Sequence, residues 1–288
     1  MKRMVVLISL KPPCFQSSAT LSTFSDSASA LLNLIPNLKS AYICYLRNEG
    51  KPSIVVPLGG ILPFQVTQLT GIYESTYKKL VGDKYKLNWI FDLRNGDDLP
   101  YCPMCGNAGR DALDHYLPKA DYPEFSFFKF NLVPTCTACN SRRGKYANKP
   151  GTVLGLLHPY FDGPELNSPL TMVEIQGDNF SGGTTYEFPS FKLVPIISTT
   201  HHLFFRLENH LNLCVKPSAL TRWIKGRWSF WRVKACMFPD LLSLQVSVSS
   251  ELNSEIIVGG PNNWTVAFLR GLLLNKNALE WLRLNPYP

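Results

Sequence analysis

The spacing of hydrophobic and polar positions predicts helices in the first third of the chain. A stripe of apolar residues with helical periodicity predicts a helix over residues 67–81. A rougher stripe, broken by Pro36, predicts another helix from residue 26 or 27 to about residue 47. An apolar run that stops at two prolines predicts a strand over residues 1–13. Residues 1–95 are therefore predicted to form a mainly helical N-terminal region.

The pattern changes over residues 96–150, where the apolar segments become short. Residues 112–116 and 125–132 are candidate strands, and a helix is expected to begin at Thr137. This order of elements predicts a small ββα finger.

The remainder of the chain, residues 151–288, has a mixed pattern. Strand character occurs over residues 186–216, and helical spacing occurs over residues 219–235 and 265–284. We therefore predict an α+β fold in which the finger is embedded between a mainly helical N-terminal part and a mixed α/β C-terminal part. The C-terminal region is the candidate for substrate or partner binding.

Composition narrows the class of protein. The chain has 288 residues, of which 45% are hydrophobic and 17% are charged, so it can bury a core and is not a disordered polyelectrolyte. The net charge of +8 and the pI near 9.0 favour a polyanionic partner such as nucleic acid. No stretch approaches about 18 uninterrupted apolar residues, so we expect no membrane span and no membrane partner.

Four of the eight cysteines form two Cys-x-x-Cys pairs, Cys102 with Cys105 and Cys136 with Cys139. Two intervening residues let both sulfur atoms of a pair reach one ion, and thiolates are preferred ligands of zinc. Because four thiolates close the coordination shell, we predict a structural Zn²⁺. Paired cysteines in a chain of this length are typical of a reducing compartment, which predicts a cytoplasmic protein. The other cysteines are predicted to be small buried apolar residues: Cys14, Cys44, Cys214 and Cys236.

The segment between and just after the cysteine pairs resembles the HNH, or ββα-metal, endonuclease superfamily. The resemblance covers roughly residues 100–148, about a sixth of the chain. It rests on Cys102-x-x-Cys105, Asp114-His115-x-x-Pro118-Lys119, Asn131-Leu132-Val133-Pro134, and Cys136-x-x-Cys139-Asn140 followed by Arg143 and Lys145. It implies that residues 96–150 are a zinc-clamped HNH nuclease finger.

The resemblance also implies roles for individual residues. His115 is expected to be the general base that takes a proton from the attacking water. Asp114 and Asn140 are expected to be ligands of a second, catalytic cation, although many relatives have His where this chain has Asn140. Asn131 is expected to tie the loop and to help orient the base. Since an amide oxygen is a harder ligand than imidazole, Mg²⁺ or Mn²⁺ is the expected catalytic metal.

Phosphodiester hydrolysis suits these residue types. A neutral imidazole, with an ordinary pKa of about 6.5, is a suitable base at neutral pH. A hard cation neutralises phosphate charge and assists the leaving oxygen as a Lewis acid. Asp114 and His115 are adjacent, so they would face opposite sides of a regular strand. We therefore expect the backbone to twist or bulge where both serve one site.

Basic residues near the motif are candidate contacts for nucleic-acid phosphates, although each is about equally well explained as part of a solvated helix face. They are Lys119, Arg142, Arg143 and Lys145. A second basic segment, residues 216–234, is interleaved with tryptophans. Such a segment either stacks on bases or buries its tryptophans beneath basic stems. We favour burial for the tryptophans and a DNA-facing or partner-facing surface for the charges.

His158 opens a His-Pro-Tyr-Phe-Asp segment just after the motif. One interpretation makes His158 a second metal ligand together with Asp162. The favoured interpretation is a packing or turn element where the motif joins the C-terminal part.

The sequence thus predicts a metal-dependent HNH endonuclease that hydrolyses phosphodiester bonds of nucleic acid, with DNA favoured. Restriction or anti-phage defence in a prokaryote is the expected setting. A partner protein such as an ATPase is expected by fold-level analogy alone. The alternative is a non-catalytic, zinc-stabilised nucleic-acid-binding module.

Overall fold

A computed structural model of the chain describes residues 29–78, 87–95, 100–109, 111–143, 148–177 and 188–286. These residues form helices and two two-stranded antiparallel sheets, which confirms the predicted α+β class. They divide into two compact units. The motif unit comprises the described parts of residues 10–100 and 109–163, and the helical unit comprises residues 101–108 and the described residues after 163.

The motif unit contains five helices, one β-hairpin and two 3-10 turns among its described residues. In chain order they are α1 (Ser29–Leu32), α2 (Ile35–Arg47), α3 (Pro63–Tyr77), α4 (Trp89–Asn95), β1 (Ala112–His115), the turns Pro123–Phe125 and Lys129–Asn131, β2 (Leu132–Thr135) and α5 (Thr137–Arg143).

Prolines determine where the N-terminal helices begin. Pro36 lies in the first turn of α2 and Pro63 in the first turn of α3, where a missing backbone N–H costs nothing. The helix predicted up to residue 47 is therefore divided, with a break before Ile35. The predicted start of this helix at residue 26 or 27 and the predicted strand over residues 1–13 lie outside the described residues.

The strand predicted over residues 125–132 is wrong. Those residues form the second half of a looped segment with two 3-10 turns, and the strand that pairs with β1 is β2. The reason is that apolar rings occupy positions on every side of this segment instead of alternating. Four phenylalanines of the segment are all buried: Phe125, Phe127, Phe128 and Phe130.

The helical unit surrounds a second hairpin. Its elements are α6 (Gly163–Leu166, which begins at the end of the motif unit), β3 (Thr171–Gln176), β4 (Ser190–Pro195), α7 (Phe204–Cys214), α8 (Pro217–Ala235), α9 (Leu241–Gly259), α10 (Trp264–Leu274) and α11 (Lys276–Leu284). None of the described helices is long and apolar enough to cross a bilayer.

Two predictions for the helical unit are corrected. Of the stretch 186–216, the structure describes residues 188–216, and in that part only β4 is a strand, with α7 following it. The single helix predicted over residues 265–284 is divided into α10 and α11, because the Asn275 side chain accepts a hydrogen bond from the Ala278 amide and caps a new helix.

Candidate active site and metal centre

The hairpin of β1 and β2 carries the residues expected to act on a phosphodiester. The strands are antiparallel, with Asp114 opposite Val133 and His115 opposite Leu132. The interior of the hairpin is apolar, since Leu113, Leu132 and Val133 are buried. β1 ends at His115, so regular strand alternation does not extend beyond this residue.

His115 is fixed by contacts on two sides. Its Nε2 lies 2.8 Å from the backbone oxygen of Ser126, and its ring meets the ring of Tyr73 edge to face at 4.5 Å. Because a carbonyl oxygen only accepts, Nε2 carries the proton of the neutral ring and Nδ1 is the basic nitrogen. Burial of the imidazole is the main cause that lowers the pKa of His115 to about 4. The ring is therefore neutral at pH 7.

Asp114 accepts hydrogen bonds at both carboxylate oxygens. Its Oδ1 accepts from the His115 amide at 2.7 Å, which turns the side chain back along its own backbone. Its Oδ2 accepts from Nη2 of Arg143. The Arg143 side chain is only 2% exposed, so this predicted phosphate contact faces the carboxylate of the site instead of the solvent.

An open cleft of about 480 Å³ brings together three of the four predicted catalytic residues and one predicted phosphate contact. Its walls include Asp114, His115, Lys119 and Asn140. Asp114 and His115 thus line the same cleft at the end of β1. Helix α5 contributes Asn140, whose backbone N–H donates to the Cys136 carbonyl at 3.0 Å. Asp114 and Asn140 provide the carboxylate and amide oxygens that hard divalent cations prefer.

The opposite wall of the cleft comes from helix α3, which the sequence reasoning did not connect with the site. Tyr73, Glu74 and Tyr77 line this wall. The carboxylate of Glu74 accepts from Lys119 at 2.6 Å, and this bond lowers the pKa of Glu74. Both side chains are well exposed, so the ion pair is weak and Lys119 can exchange it for a phosphate. No local pattern in the sequence signals this contact.

Asn131 lies beneath the cleft and not in its walls. The side chain is fully buried, and its Oδ1 accepts from the Leu117 amide at 2.7 Å. Its Nδ2 donates to the carbonyl oxygens of Leu117 and Phe125 at 3.1 and 3.2 Å. These bonds join the two ends and the middle of the segment that connects β1 with β2.

Two of the predicted phosphate contacts remain, Arg142 and Lys145. Arg142 is exposed on α5. Lys145 lies outside the described residues.

The start of α5 depends on a residue that the sequence analysis passed over. Oδ1 of Asp111 accepts from the Thr137 amide at 2.7 Å, and Oδ2 accepts from the Thr137 hydroxyl at 2.5 Å. This carboxylate satisfies an N-terminal amide of the helix that carries Cys139 and Asn140. An acidic residue just before β1 gave no recognisable capping signal, because the cap and the helix are separated by the whole hairpin.

The four cysteines of the two pairs are all buried. In the helical unit, the sulfur atoms of Cys102 and Cys105 lie within 4.8 Å of each other, a spacing at which they could hold a metal ion. In the motif unit, the Cys139 amide donates to the sulfur of Cys136 at 3.4 Å. Buried thiols so close together match the soft donor set of a zinc site.

The first cysteine pair lies on a tight turn within the helical unit. The Gly106 amide donates to the Cys102 carbonyl at 2.9 Å, and the Cys102 amide donates to the Asn107 carbonyl at 2.8 Å. The indole of Trp264 donates to the Cys105 carbonyl at 2.6 Å. Gly106 has a φ of 79°, a left-handed conformation that glycine adopts without strain.

The prediction that the scattered cysteines are buried is wrong for two of them. Cys214 is buried, but Cys44 is exposed on α2 and Cys236 is exposed directly after α8. Cys14 lies outside the described residues.

His158 has the packing role that was favoured. The side chain is 1% exposed, and its backbone amide donates to Oδ2 of Asp162 at 2.6 Å. The Asp162 carboxylate thus closes a turn at the start of this segment, as an acceptor for backbone N–H.

The basic segment of α8 divides as expected for its tryptophans. Trp228 and Trp231 are buried in the helical unit. Arg227 and Lys234 both pair with Glu251 of α9, at 2.5 and 2.9 Å. These two charges are therefore partly neutralised within the unit.

Parts of the chain are similar to two curated proteins. Protein ea31 of Escherichia phage lambda is 44% identical over 62 residues, which are 21% of this chain and 21% of that protein. Septu protein PtuB of Bacillus thuringiensis is 25% identical over 129 residues, which cover 38% of this chain and 49% of that protein. The matched regions thus span about a fifth and about half of these relatives. No protein-family model and no solved structure matches the chain.

Proposed function

We propose that the chain is a metal-dependent endonuclease of the HNH type that hydrolyses phosphodiester bonds, with DNA as the favoured substrate. The observation that carries the proposal is the cleft that collects Asp114, His115 and Asn140 at the end of one hairpin and its following helix. A base and two hard oxygen donors around one cleft suit the hydrolysis of a phosphate ester.

In the proposed reaction, water is deprotonated by Nδ1 of His115. The Nε2 proton remains on the ring and donates to Ser126, which holds the imidazole in one tautomer and one orientation. The contact with Tyr73 keeps that ring neutral by excluding water. Lys119 lies at the rim of the cleft and is placed to attract the phosphate.

The proposed ligands of the catalytic Mg²⁺ or Mn²⁺ are Asp114 and Asn140. When bound, such a cation neutralises charge on the phosphate and on the leaving oxygen. A cation held at Oδ2 of Asp114 would take the place of the Arg143 guanidinium at this oxygen. Arg143 would then remain as a buried positive charge beside the ligand.

The buried thiols are the proposed site of a structural Zn²⁺. The four proposed ligands are Cys102 and Cys105 of the helical unit and Cys136 and Cys139 of the motif unit, and the sulfur atoms of the first two lie within 4.8 Å of each other. Thiolate coordination would hold Cys139 and hence the adjacent Asn140, and it contributes to the stability of the fold.

The proposed setting is anti-phage defence in a prokaryote. The distant similarity to a Septu protein, which belongs to a defence system, supports this setting. A partner protein, such as an ATPase, remains part of the proposal, and the surface for it or for nucleic acid is assigned to the C-terminal region. The exposed basic residues of α8 are candidates for that surface: Lys216, Arg222 and Lys225.

One observation favours a second candidate function, a non-catalytic zinc-stabilised nucleic-acid-binding module. The carboxylate of Asp114 is already engaged by Arg143 and by the His115 amide. A module that never binds a second cation would keep this arrangement permanently.

Cleavage assays distinguish the two candidates. Plasmid, single-stranded DNA and RNA are incubated with wild-type protein in Mg²⁺, Mn²⁺ or EDTA, alongside His115→Ala and the control His202→Ala, which removes an exposed imidazole of the helical unit. We expect cation-dependent cleavage by wild type and by the control, and none by His115→Ala. Nucleic-acid binding that persists in EDTA, with no cleavage of any substrate, would establish the second candidate instead.

A further inference from the structure

Two buried side chains outside the segment that resembles HNH nucleases form a hydrogen-bonded chain that ends at Asn131: His158 contacts Tyr45, and Tyr45 contacts Asn131. Tyr45 lies on α2 and is fully buried, and His158 is 1% exposed. The Tyr45 hydroxyl lies 3.0 Å from Nε2 of His158 and 3.2 Å from Oδ1 of Asn131. It also lies 3.2 Å from the carbonyl oxygen of Phe130. All of these residues belong to the motif unit.

The hydrogen bonds of this group run in one direction. The Tyr160 amide donates to Nδ1 of His158 at 3.2 Å, so Nδ1 is an acceptor and Nε2 carries the proton of the neutral ring. Nε2 therefore donates to the Tyr45 oxygen. The Tyr45 hydroxyl in turn donates to Oδ1 of Asn131 and to the neighbouring Phe130 carbonyl, which leaves each group with a partner of the right kind.

The group determines the orientation of the Asn131 carboxamide. Oδ1 accepts hydrogen bonds from the Tyr45 hydroxyl and from the Leu117 amide, whereas Nδ2 donates to two carbonyl oxygens. A flipped amide would place a donor against both donors, which is costly in a buried site. The hydrogen bond from Tyr45 thus favours the same orientation of the Asn131 carboxamide as the hydrogen bond from the Leu117 amide does.

The same group is connected with His115 through the loop that Asn131 holds. Asn131 bonds to Leu117 at the start of this loop and to Phe125 in its middle, and Ser126 directly follows Phe125. The Ser126 carbonyl is the acceptor that fixes Nε2 of His115. A shift of the carboxamide is therefore transmitted to the ring of the base over a few bonds.

We infer that Tyr45 and His158 are positioning residues that act through Asn131 on the orientation and tautomer of His115. This inference deepens the proposed function and rests on it where catalysis is concerned. Neither residue is among those that line the cleft, so their effect is indirect.

The main test compares Tyr45→Phe with Tyr42→Phe. Tyr42 lies one turn earlier on α2, is 4% exposed, and donates to the Glu124 carbonyl of the same loop at 3.1 Å. Each variant loses one buried hydroxyl and one set of bonds to the loop, but only Tyr45 contacts Asn131. We expect kcat for plasmid cleavage to fall about tenfold or more in Tyr45→Phe with KM unchanged, since a misplaced base costs rate and not binding. Tyr42→Phe is expected to keep the wild-type kcat.

A second pair of variants tests His158. In His158→Gln the side-chain amide nitrogen can replace Nε2 as the donor to Tyr45, whereas in His158→Asn the shorter amide can replace only the acceptor Nδ1. We expect His158→Gln to retain more of kcat than His158→Asn. Equal kcat in these two variants would contradict a donor role for Nε2.

Hydrogen exchange provides a readout that needs no activity. The Leu117 amide donates to Asn131 Oδ1, so its exchange reports the orientation of the carboxamide. We expect faster exchange at Leu117 in Tyr45→Phe than in Tyr42→Phe at matched global stability. If wild-type protein cuts no substrate, the proposed function fails and this comparison still decides the inference. Identical Leu117 exchange and identical kcat in the two variants would overturn it.

Discussion

Arg143 donates from Nη2 to Oδ2 of Asp114, so a buried guanidinium occupies the carboxylate that we propose as a cation ligand. The ion pair is largely shielded from solvent, because the Arg143 side chain is 2% exposed and that of Asp114 is 15% exposed. Arginine and the proposed divalent cation would therefore compete for the same oxygen. The pair stabilises the hairpin and α5 when no cation is bound, since it joins β1 to the last turn of that helix.

Arg143→Gln is expected to lower the free energy of unfolding in EDTA by about 3 kcal/mol, because it leaves the Asp114 carboxylate without its cationic partner. Mn²⁺ should recover a larger part of this loss in the variant than it adds to wild type, since the competitor is gone. Urea denaturation with and without Mn²⁺ measures both effects. Arg142→Gln removes the same charge from an exposed position and is expected to change stability by less than about 0.5 kcal/mol. Equal losses in the two variants would contradict the role of the pair.

Metal analysis of the purified protein is expected to give about one zinc per chain. Cys139→Ser should lose this zinc and lower the melting temperature, because thiolate binding stabilises the folded state. Cys44→Ser removes an exposed thiol and is the control that should keep the zinc. Cys136→Ser distinguishes a site of four thiolates from a site of three. If Cys136 is a ligand, the variant should bind zinc more weakly. An unchanged zinc content would restrict the site to the other three cysteines.

Glu124 predicts a pH dependence of stability. Its Oε1 accepts from the Leu58 amide at 2.8 Å, its side chain is fully buried, and burial raises the pKa of this carboxyl above the ordinary 4.5. The folded state therefore binds the proton more tightly than the unfolded state does. The stabilising contribution is complete below pH 4.5 and is lost as the pH rises through the folded-state pKa.

Glu124→Gln removes this titration while keeping an oxygen for the Leu58 amide. We expect the free energy of unfolding of the variant, relative to that of wild type, to increase as the pH rises from 4.5 to 7. Urea denaturation at several pH values measures this difference. Glu74→Gln is the control of opposite sign, because the bond from Lys119 lowers the pKa of this exposed carboxyl. A constant difference between Glu124→Gln and wild type across this range would refute the assignment.

Asp111→Ala is expected to cost about 1 kcal/mol of stability, because the amide of Thr137 loses its capping acceptor. Asp111→Asn keeps one oxygen for this amide and should cost much less. Thermal unfolding of both variants measures the difference. The cap would be unimportant if both substitutions lowered the melting temperature equally.

The local structure of the motif was largely predictable from sequence. The strand at residues 112–116 and the helix from Thr137 agree with the structure within a residue, since short apolar runs and polar boundaries determine such elements locally. The interpretation of residues 125–132 as a strand failed, because buried aromatic rings on all sides of a loop mimic an apolar run. The buried tryptophans of α8 were predicted correctly from helical spacing.

What sequence could not predict is which distant elements meet at the site. Tyr73 on α3 contacts the His115 ring, and Asp111 caps α5 across a hairpin, yet neither relationship has a local pattern. The pairing of Arg143 with Asp114 was also not predicted. Its position beside basic neighbours suggested a phosphate contact, but the fold turns it inward to Asp114, and only the packing of β1 against α5 decides this.

Helix α3 contributes one whole wall of the cleft, although it precedes the cysteine pairs in the chain and has no part in the HNH resemblance. A graft of residues 100–148 alone onto another scaffold would therefore carry His115, the proposed base, without the Tyr73 ring that contacts it. Exchange between relatives should succeed as a block that carries both segments, and natural recombination would be expected to respect the same boundary. The segment that would have to be transferred intact is thus larger than the recognisable motif.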